Sequence, residues 1–198
     1  MHNNLKNFGD STLARFASNG NRAAFDELAA RFTGQLLIFA SSKTNNYHDA
    51  EDIVQETMMK AYKNIENFNC KSSFKTWIFT IAYRTLVSNA RKMRPALLNE
   101  ESQQNLEIIE ENDEDFGWVW EIARKLGQES FTVLWLKYKQ EMSISQIAKV
   151  IGKTNAAARV MLYRSRKKMA KKLYLERENR QNSFFRSDEG MSFERAKL

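Results

Sequence analysis

Met142–Met169, MSISQIAKVIGKTNAAARVMLYRSRKKM, decides the fold. Ser143 followed three residues later by Gln146 forms a capping box, in which each side chain satisfies an amide that the first helical turn leaves without a partner. It starts a helix over ISQIAKVI. Gly152 ends that helix, because a residue without a Cβ enters the left-handed conformation at no steric cost, and Thr154 can cap the next one. A short helix, a tight glycine turn and a second helix have the spacing of a helix-turn-helix, whose second member can lie in a major groove. Projected at about 100° per residue, this second helix packs through Ala158, Leu162, Ser165 and Met169. It turns Ala156, Val160, Tyr163 and Lys167 outward, flanked by Arg159 and Arg164. A merely solvated basic helix rarely leaves Val160 and Tyr163 outward among cations. A groove-bound helix can set them against thymine methyls and the sugar-phosphate backbone. The small side chains of Ala156 and Ala157 let the helix N-terminus come close to phosphates, and Arg159 is the candidate for hydrogen bonds to bases.

The rest of the chain agrees with an all-helical reading. One proline and seven glycines in 198 residues are too few for the frequent turns of a β fold. No apolar run is long enough to span a bilayer, and the N-terminal MHNNLKNFGDSTLARF lacks a signal core, so a soluble, cytoplasmic protein without stable membrane insertion is expected. Cys70 is the only cysteine and the histidines are His2 and His48, which excludes an internal disulfide framework and argues against a metal site.

Charge divides the chain. Residues 1–94 hold thirteen Lys/Arg against eight Asp/Glu, residues 95–123 hold nine acids and no base, and residues 124–198 hold eighteen bases against seven acids. The overall charge of +7 favours an anionic partner such as nucleic acid. The strip Pro95–Asp115, PALLNEESQQNLEIIEENDED, repels itself and reads as an acidic flexible linker that could reach about 70 Å when extended. It joins two small helical domains, residues 1–94 and 116–174, and residues 175–198 form a polar tail expected to be disordered.

In the first domain, Ala24, Phe25, Leu28 and Phe32 share one helical face. Ala50, Ile53, Val54, Met58, Ala61, Tyr62 and Ile65 share another, with Asp49 as the expected N-cap. A third helix, SFKTWIFTIAYRTLVSNARK, buries Phe74, Trp77, Ile78, Ile81, Ala82 and Thr85. Its opposite side carries Thr76, Thr80, Tyr83, Val87 and Arg91, with Phe79, Arg84 and Lys92 at the margins and Lys75 nearby. Aromatic rings among cations suit single-stranded nucleic acid, since bases stack while phosphates are neutralised; the alternative is that Phe79 and Tyr83 simply pack against another helix. The second helix differs in kind: Glu51, Asp52, Gln55, Glu56 and Met59 make an acidic face that would repel nucleic acid and fit a basic protein surface. No glycine-rich phosphate loop and no His or Cys pair supports catalysis, and no cofactor or small-molecule substrate is expected.

These segments, in this order, resemble the extracytoplasmic-function sigma factors, the two-domain members of the main bacterial sigma family, over roughly Leu13 to Leu173. DAEDIVQETMMKAY is similar to the family's core-binding helix in region two, SFKTWIFTIAYR to its promoter-melting helix, and MSISQIAKVIGKTNAAARVMLYRSRKKM to region four. The resemblance implies that Asp49, Asp52, Gln55, Glu56 and Met59 meet the clamp helices of the largest subunit of core RNA polymerase. It also implies contact with the flap of the second subunit, and an anti-sigma protein as a further partner. Asn69, Lys71 and Ser72 in the loop 67–73, with Lys75, Phe79, Tyr83, Arg84 and Arg91, would hold the melted non-template strand of the minus-10 element. Ala156, Ala157, Arg159, Val160, Tyr163, Arg164 and Lys167 would read the minus-35 element, and the acidic linker would thread toward the RNA exit path. LGQESFTVLWLKYKQE lacks the prolines common at its start, Glu141 stands where a turn glycine is frequent, and Met161 replaces a commonly basic residue. Two rivals are a sigma-like decoy that occupies an anti-sigma protein and a stand-alone helix-turn-helix regulator. The decoy would not need cations on both nucleic-acid faces, and the regulator would not need the acidic face.

Overall fold

The computed structural model describes residues 2–44, 46–93 and 117–194, and all regular structure among them is helical. The acidic linker lies outside the described residues. The first domain contains α1 (Asp10–Ser18), α2 (Arg22–Ser41), α3 (Tyr47–Asn64) and α4 (Phe74–Met93). The second contains α5 (Gly117–Arg124), α6 (Gln128–Tyr138), α7 (Ile144–Ile151) and α8 (Asn155–Glu194).

Spacing of three and four sets the first core. Phe25, Leu28, Phe32, Leu36 and Phe39 of α2 are buried in one stripe, against which α1 supplies Leu13 and Ala17 and α3 supplies Ala50, Ile53 and Val54. The Phe32 and Phe74 rings lie 5.4 Å apart, joining α2 to α4. Each large side chain buried here contributes about 1.5–3 kcal/mol relative to its exposed state. Arg31 fastens the N-terminal segment to α2. Its guanidinium donates to Asp10 and Glu27, both at 2.9 Å, and to the carbonyls of Phe8 and Lys6 at 2.9 and 2.8 Å. Hydrogen bonds to Glu27 and then Asp10 raise its pKa further.

Two expectations for α3 are corrected. The N-cap of α3 is Asn46, whose side-chain oxygen accepts from the Asp49 amide at 2.7 Å. Asp49 sits inside the first turn and accepts from the Asn46 side-chain amide at 3.1 Å. Both residues are short polar acceptors, and the helix begins at the earlier one. Tyr62 was expected in the core but is 49 % exposed, with only its ring edge against Phe25 at 5.1 Å.

In the second domain, Ser130 to Leu136 of α6 are all buried, a run possible only for a helix covered on every side. α5, α7 and α8 each pack on it. The capping box of α7 forms as expected, with the Ser143 amide donating to Gln146 Oε1 at 2.8 Å and the Gln146 amide to Ser143 Oγ at 3.3 Å. Gly152 takes φ +65°, and the Lys153 and Gly152 amides return to the carbonyls of Ala148 and Lys149 at 3.0 and 3.3 Å. This double closure is the Schellman motif. Glu141, where a glycine was noted as frequent, adopts φ +54° in the left-handed region. The tail expected to be disordered differs as well, since α8 runs unbroken to Glu194, with no proline or glycine before Gly190 to stop it.

The two domains touch. α4 packs along α7, and Trp135 of α6 meets the rings of Phe39 and Phe79 at 6.2 and 6.4 Å.

Candidate nucleic-acid interface

The recognition helix sits as its periodicity requires. Thr154 Oγ1 accepts from the Ala157 amide at 3.2 Å, fixing the first turn of α8. Ala158, Leu162, Ser165 and Met169 are buried. Ala156, Arg159, Val160, Tyr163, Arg164 and Lys167 are exposed and Ala157 is half-buried. Tyr163 is 66 % and Val160 47 % exposed, large apolar surface held in water among cations. Arg166, one step round the helix, lies 5.5 Å from the Tyr138 ring and links α8 to the end of α6. The open helix start, the small residues beside it and the flanking guanidinium groups make a surface that can approach a phosphate backbone and reach base edges.

The acidic face of α3 is also open. Asp52, Gln55 and Met59 are exposed, Met59 by 57 %, while Asp49, Glu51 and Glu56 are half-buried. Glu56 has an internal duty. It pairs with Lys60 at 2.7 Å and accepts from Asn89 of α4 at 3.1 Å, and Lys60 in turn donates to Thr85 of α4 at 3.1 Å. Part of its charge is therefore spent on joining α3 to α4, which leaves Asp52 as the more available carboxylate.

The strand-binding set divides. Asn69 and Lys71 are exposed, Ser72 and Lys75 half-buried, and the Lys71 amide donates to Asn69 Oδ1 at 3.2 Å, with Cys70 between them at φ +56°. Ser73 caps α4, its hydroxyl accepting from the Thr76 amide at 3.2 Å. Arg84 is exposed; Arg91 lies in the last turn of α4 and its side chain is outside the described residues. Phe79 contradicts its expected place at the open margin. It is 0 % exposed, enclosed by Phe39 at 5.4 Å and by Trp135, so no base can stack on it in this arrangement. Thr76, expected to face outward, is 1 % exposed. Tyr83, Thr80 and Val87 are half-buried. For Phe79 the cause is visible: the second domain packs along α4 and Trp135 meets its ring from that side.

Lys43, Glu129 and Thr132 are residues that sequence reasoning missed. Lys43 Nζ reaches across the domains to Thr132 Oγ1 and donates to the Gln128 carbonyl at 3.1 Å. It also lies 5.5 Å from the Phe39 ring and 5.8 Å from the Tyr83 ring. Burial lowers its pKa from 10.5 to about 8, against the opposing pull of Glu129. Burial, then Glu129, raises the pKa of Tyr83 above 10.0. Nothing in the spacing of SSKTNNY marked Lys43; its role exists only once two distant segments meet.

Comparison with known proteins finds two successive matches along the chain. The family model for sigma-70 region 2 matches residues 28–95, and that for sigma-70 region 4 matches residues 116–169. The ECF RNA polymerase sigma factor SigW of Bacillus subtilis is 24 % identical over 177 residues, covering 78 % of this chain and 91 % of its own. The RNA polymerase sigma-H factor of Pseudomonas aeruginosa is 26 % identical over 183 residues, covering 83 % and 93 %. Among solved structures, the sigma factor RpoE of Bartonella quintana, in complex with the anti-sigma factor NepR, aligns with a TM-score of 0.65 at 22 % identity over 76 % of this chain and 96 % of that one. CnrH, in complex with the cytosolic domain of CnrY, aligns at 0.61 and 24 % identity over 84 % and 97 %. These two likenesses concern the fold. With both regions matched in order and relatives aligned along most of their length, the chain belongs to the extracytoplasmic-function sigma factors of the sigma-70 family.

Proposed function

We propose that the chain is a promoter-specificity subunit, which binds core RNA polymerase, directs it to minus-35 and minus-10 elements and aids strand opening without covalent chemistry of its own. The observation that carries this reading is the pairing of two surfaces of opposite charge on one chain: the open acidic face of α3 and the open cationic start of α8. In this reading Asp52, Gln55 and Met59, with Asp49 and Glu56 beside them, dock on a basic surface of the largest polymerase subunit. Rim charges of this kind govern encounter and orientation more than raw affinity. α8 enters the major groove near the minus-35 element with Arg159 at base edges and Arg164 and Lys167 on phosphates. The loop around Asn69, Lys71 and Ser72, with Lys75, Tyr83, Arg84 and Arg91, takes the separated minus-10 strand, where unpairing costs a few kcal/mol that only a fitting base returns. The site of action is the cytoplasm, with an anti-sigma protein as a further partner. Among the described residues no helix is long and apolar enough to cross a membrane.

The test is promoter-dependent transcription from purified core enzyme supplemented with this protein, alongside core binding by Asp52→Lys. Specific transcripts and a loss of at least tenfold in core affinity for Asp52→Lys are expected. Failure of the unaltered chain to bind core would refute the reading.

A further inference from the structure

We infer that α8 grips duplex DNA beyond the base pairs it reads: Arg164, Lys168 and Lys171 form one phosphate-binding row that follows a single strand away from the base-facing start of the helix. The inference rests on the proposed placement of α8 in the major groove. Lys171 lies past residue 169, where the match to sigma-70 region 4 ends.

Three observations support the row. The first is reach. Met169 is the last buried residue of α8 among those described, yet the helix continues unbroken to Glu194, and Arg164, Lys168 and Lys171 are all exposed. At about 1.5 Å of rise per residue, Lys168 and Lys171 stand about 6 and 10 Å beyond Arg164. The second is direction. At about 100° per residue, the three share an arc of about 60° on one flank of the outward side that Ala156, Val160, Tyr163 and Lys167 define. Lys172 is also exposed, but it points roughly 150° away from the centre of that side.

The third is unpaired charge. Asn155 to Leu175 holds seven Lys/Arg and no Asp or Glu, and among the described residues no carboxylate pairs with a member of the row. Elsewhere the chain sets a helical cation beside a glutamate four residues earlier, Arg31 with Glu27 at 2.9 Å and Lys60 with Glu56 at 2.7 Å. Like charges three or four residues apart weaken a helix, so a row kept free of acids is complementary to negative charge from outside. Acids return at Glu176 and Glu178, and the Tyr174 hydroxyl donates to Glu178. That sets the end of the row.

A duplex fits this row better than an acidic protein does. The row is continuous with the groove-facing side of α8 and runs in a line, as the phosphates of one strand do. Contacts of this kind carry no sequence information, but they fix the angle at which the helix start meets the bases.

The test titrates the full chain, Lys168→Gln/Lys171→Gln, Lys172→Gln and Arg164→Ala against a duplex of mixed sequence at several salt concentrations. Glutamine matches lysine closely in helix propensity, so the fold is kept. Each phosphate contact contributes about 0.9 to the slope of log affinity against log salt, and the double variant should therefore lower that slope by about two. Lys172→Gln, with the same loss of charge one residue away, should keep the parent's slope. An unchanged slope in the double variant beside a reduced one in Arg164→Ala would overturn the row and leave the groove-reading role of α8 standing. A fall in Lys172→Gln equal to the double variant's fall per lysine would also overturn it, since net charge alone would then explain both. A parent that binds no duplex would refute the proposed role of α8, and the row with it.

Discussion

Phe79→Ala separates two accounts of one side chain. If Phe79 were a stacking platform at an open margin, its removal would leave stability nearly unchanged and cost about 1–3 kcal/mol of single-strand affinity, roughly 5- to 150-fold. The structure instead encloses it, with no exposed surface and with Phe39 and Trp135 at 5.4 and 6.4 Å. Truncation of a fully buried phenylalanine removes its transfer free energy and leaves a cavity that neighbours only partly fill, together about 3–5 kcal/mol. At roughly 2–4 °C per kcal/mol for a protein of this size, the melting midpoint should fall by about 6–20 °C. Far-ultraviolet circular dichroism through a thermal ramp reads the midpoint, and a urea titration at fixed temperature checks that the slope is preserved. A midpoint within about 2 °C of the parent would correspond to no more than roughly 1 kcal/mol. That result would refute the enclosure and return Phe79 to solvent.

Three further outcomes are expected. Ser143→Ala removes the capping-box hydroxyl of α7 and should cost about 1 kcal/mol, read as a lowered urea midpoint with unchanged slope. Lys43 binds its proton less tightly when the domains are closed, about 8 against 10.5 when open, so closure should tighten as pH rises above 8, approaching tenfold per unit. Tyr83, whose phenol is raised above 10.0 by burial and Glu129, opposes this at the upper end, so energy transfer between the domains should be followed from pH 8 to about 9.5, where Lys43→Met should give a flat profile. Arg164→Ala should weaken α8 binding to all duplexes alike and reduce the salt slope by about one, whereas Arg159→Ala should cost about 1–3 kcal/mol and relax sequence preference, both read by duplex titration at several salt concentrations.

Much of this architecture was legible because its causes are local. The stripe Ala24, Phe25, Leu28 and Phe32, the packed side of α8 and the start and stop of α7 follow from helical period, from a serine with a glutamine three residues on, and from a glycine able to take positive φ. The errors arose where the cause lies elsewhere in the chain. Period identifies the most apolar side of α4, but nothing in residues 74–93 says that a second domain packs along the helix and sets Trp135 against Phe79. Lys43 and Thr132, eighty-nine positions apart, carry no mark of each other. The contest between Asn46 and Asp49 for the cap of α3 is local, yet two residue types with nearly equal capping preference cannot be ranked by composition.

The unbroken burial of Ser130 to Leu136 also bears on how the chain is made. Synthesis at about 5–20 residues per second completes α6 at Tyr138 and delivers Met169, the last buried contact of α8, on the order of 2–6 s later. Throughout that interval α6 can lie against α5 and, through Trp135, against the first domain, but it lacks the cover that α8 supplies. The nascent chain is then at its most adhesive, and chaperone capture or clumping on crowded polysomes should peak just before the recognition helix emerges.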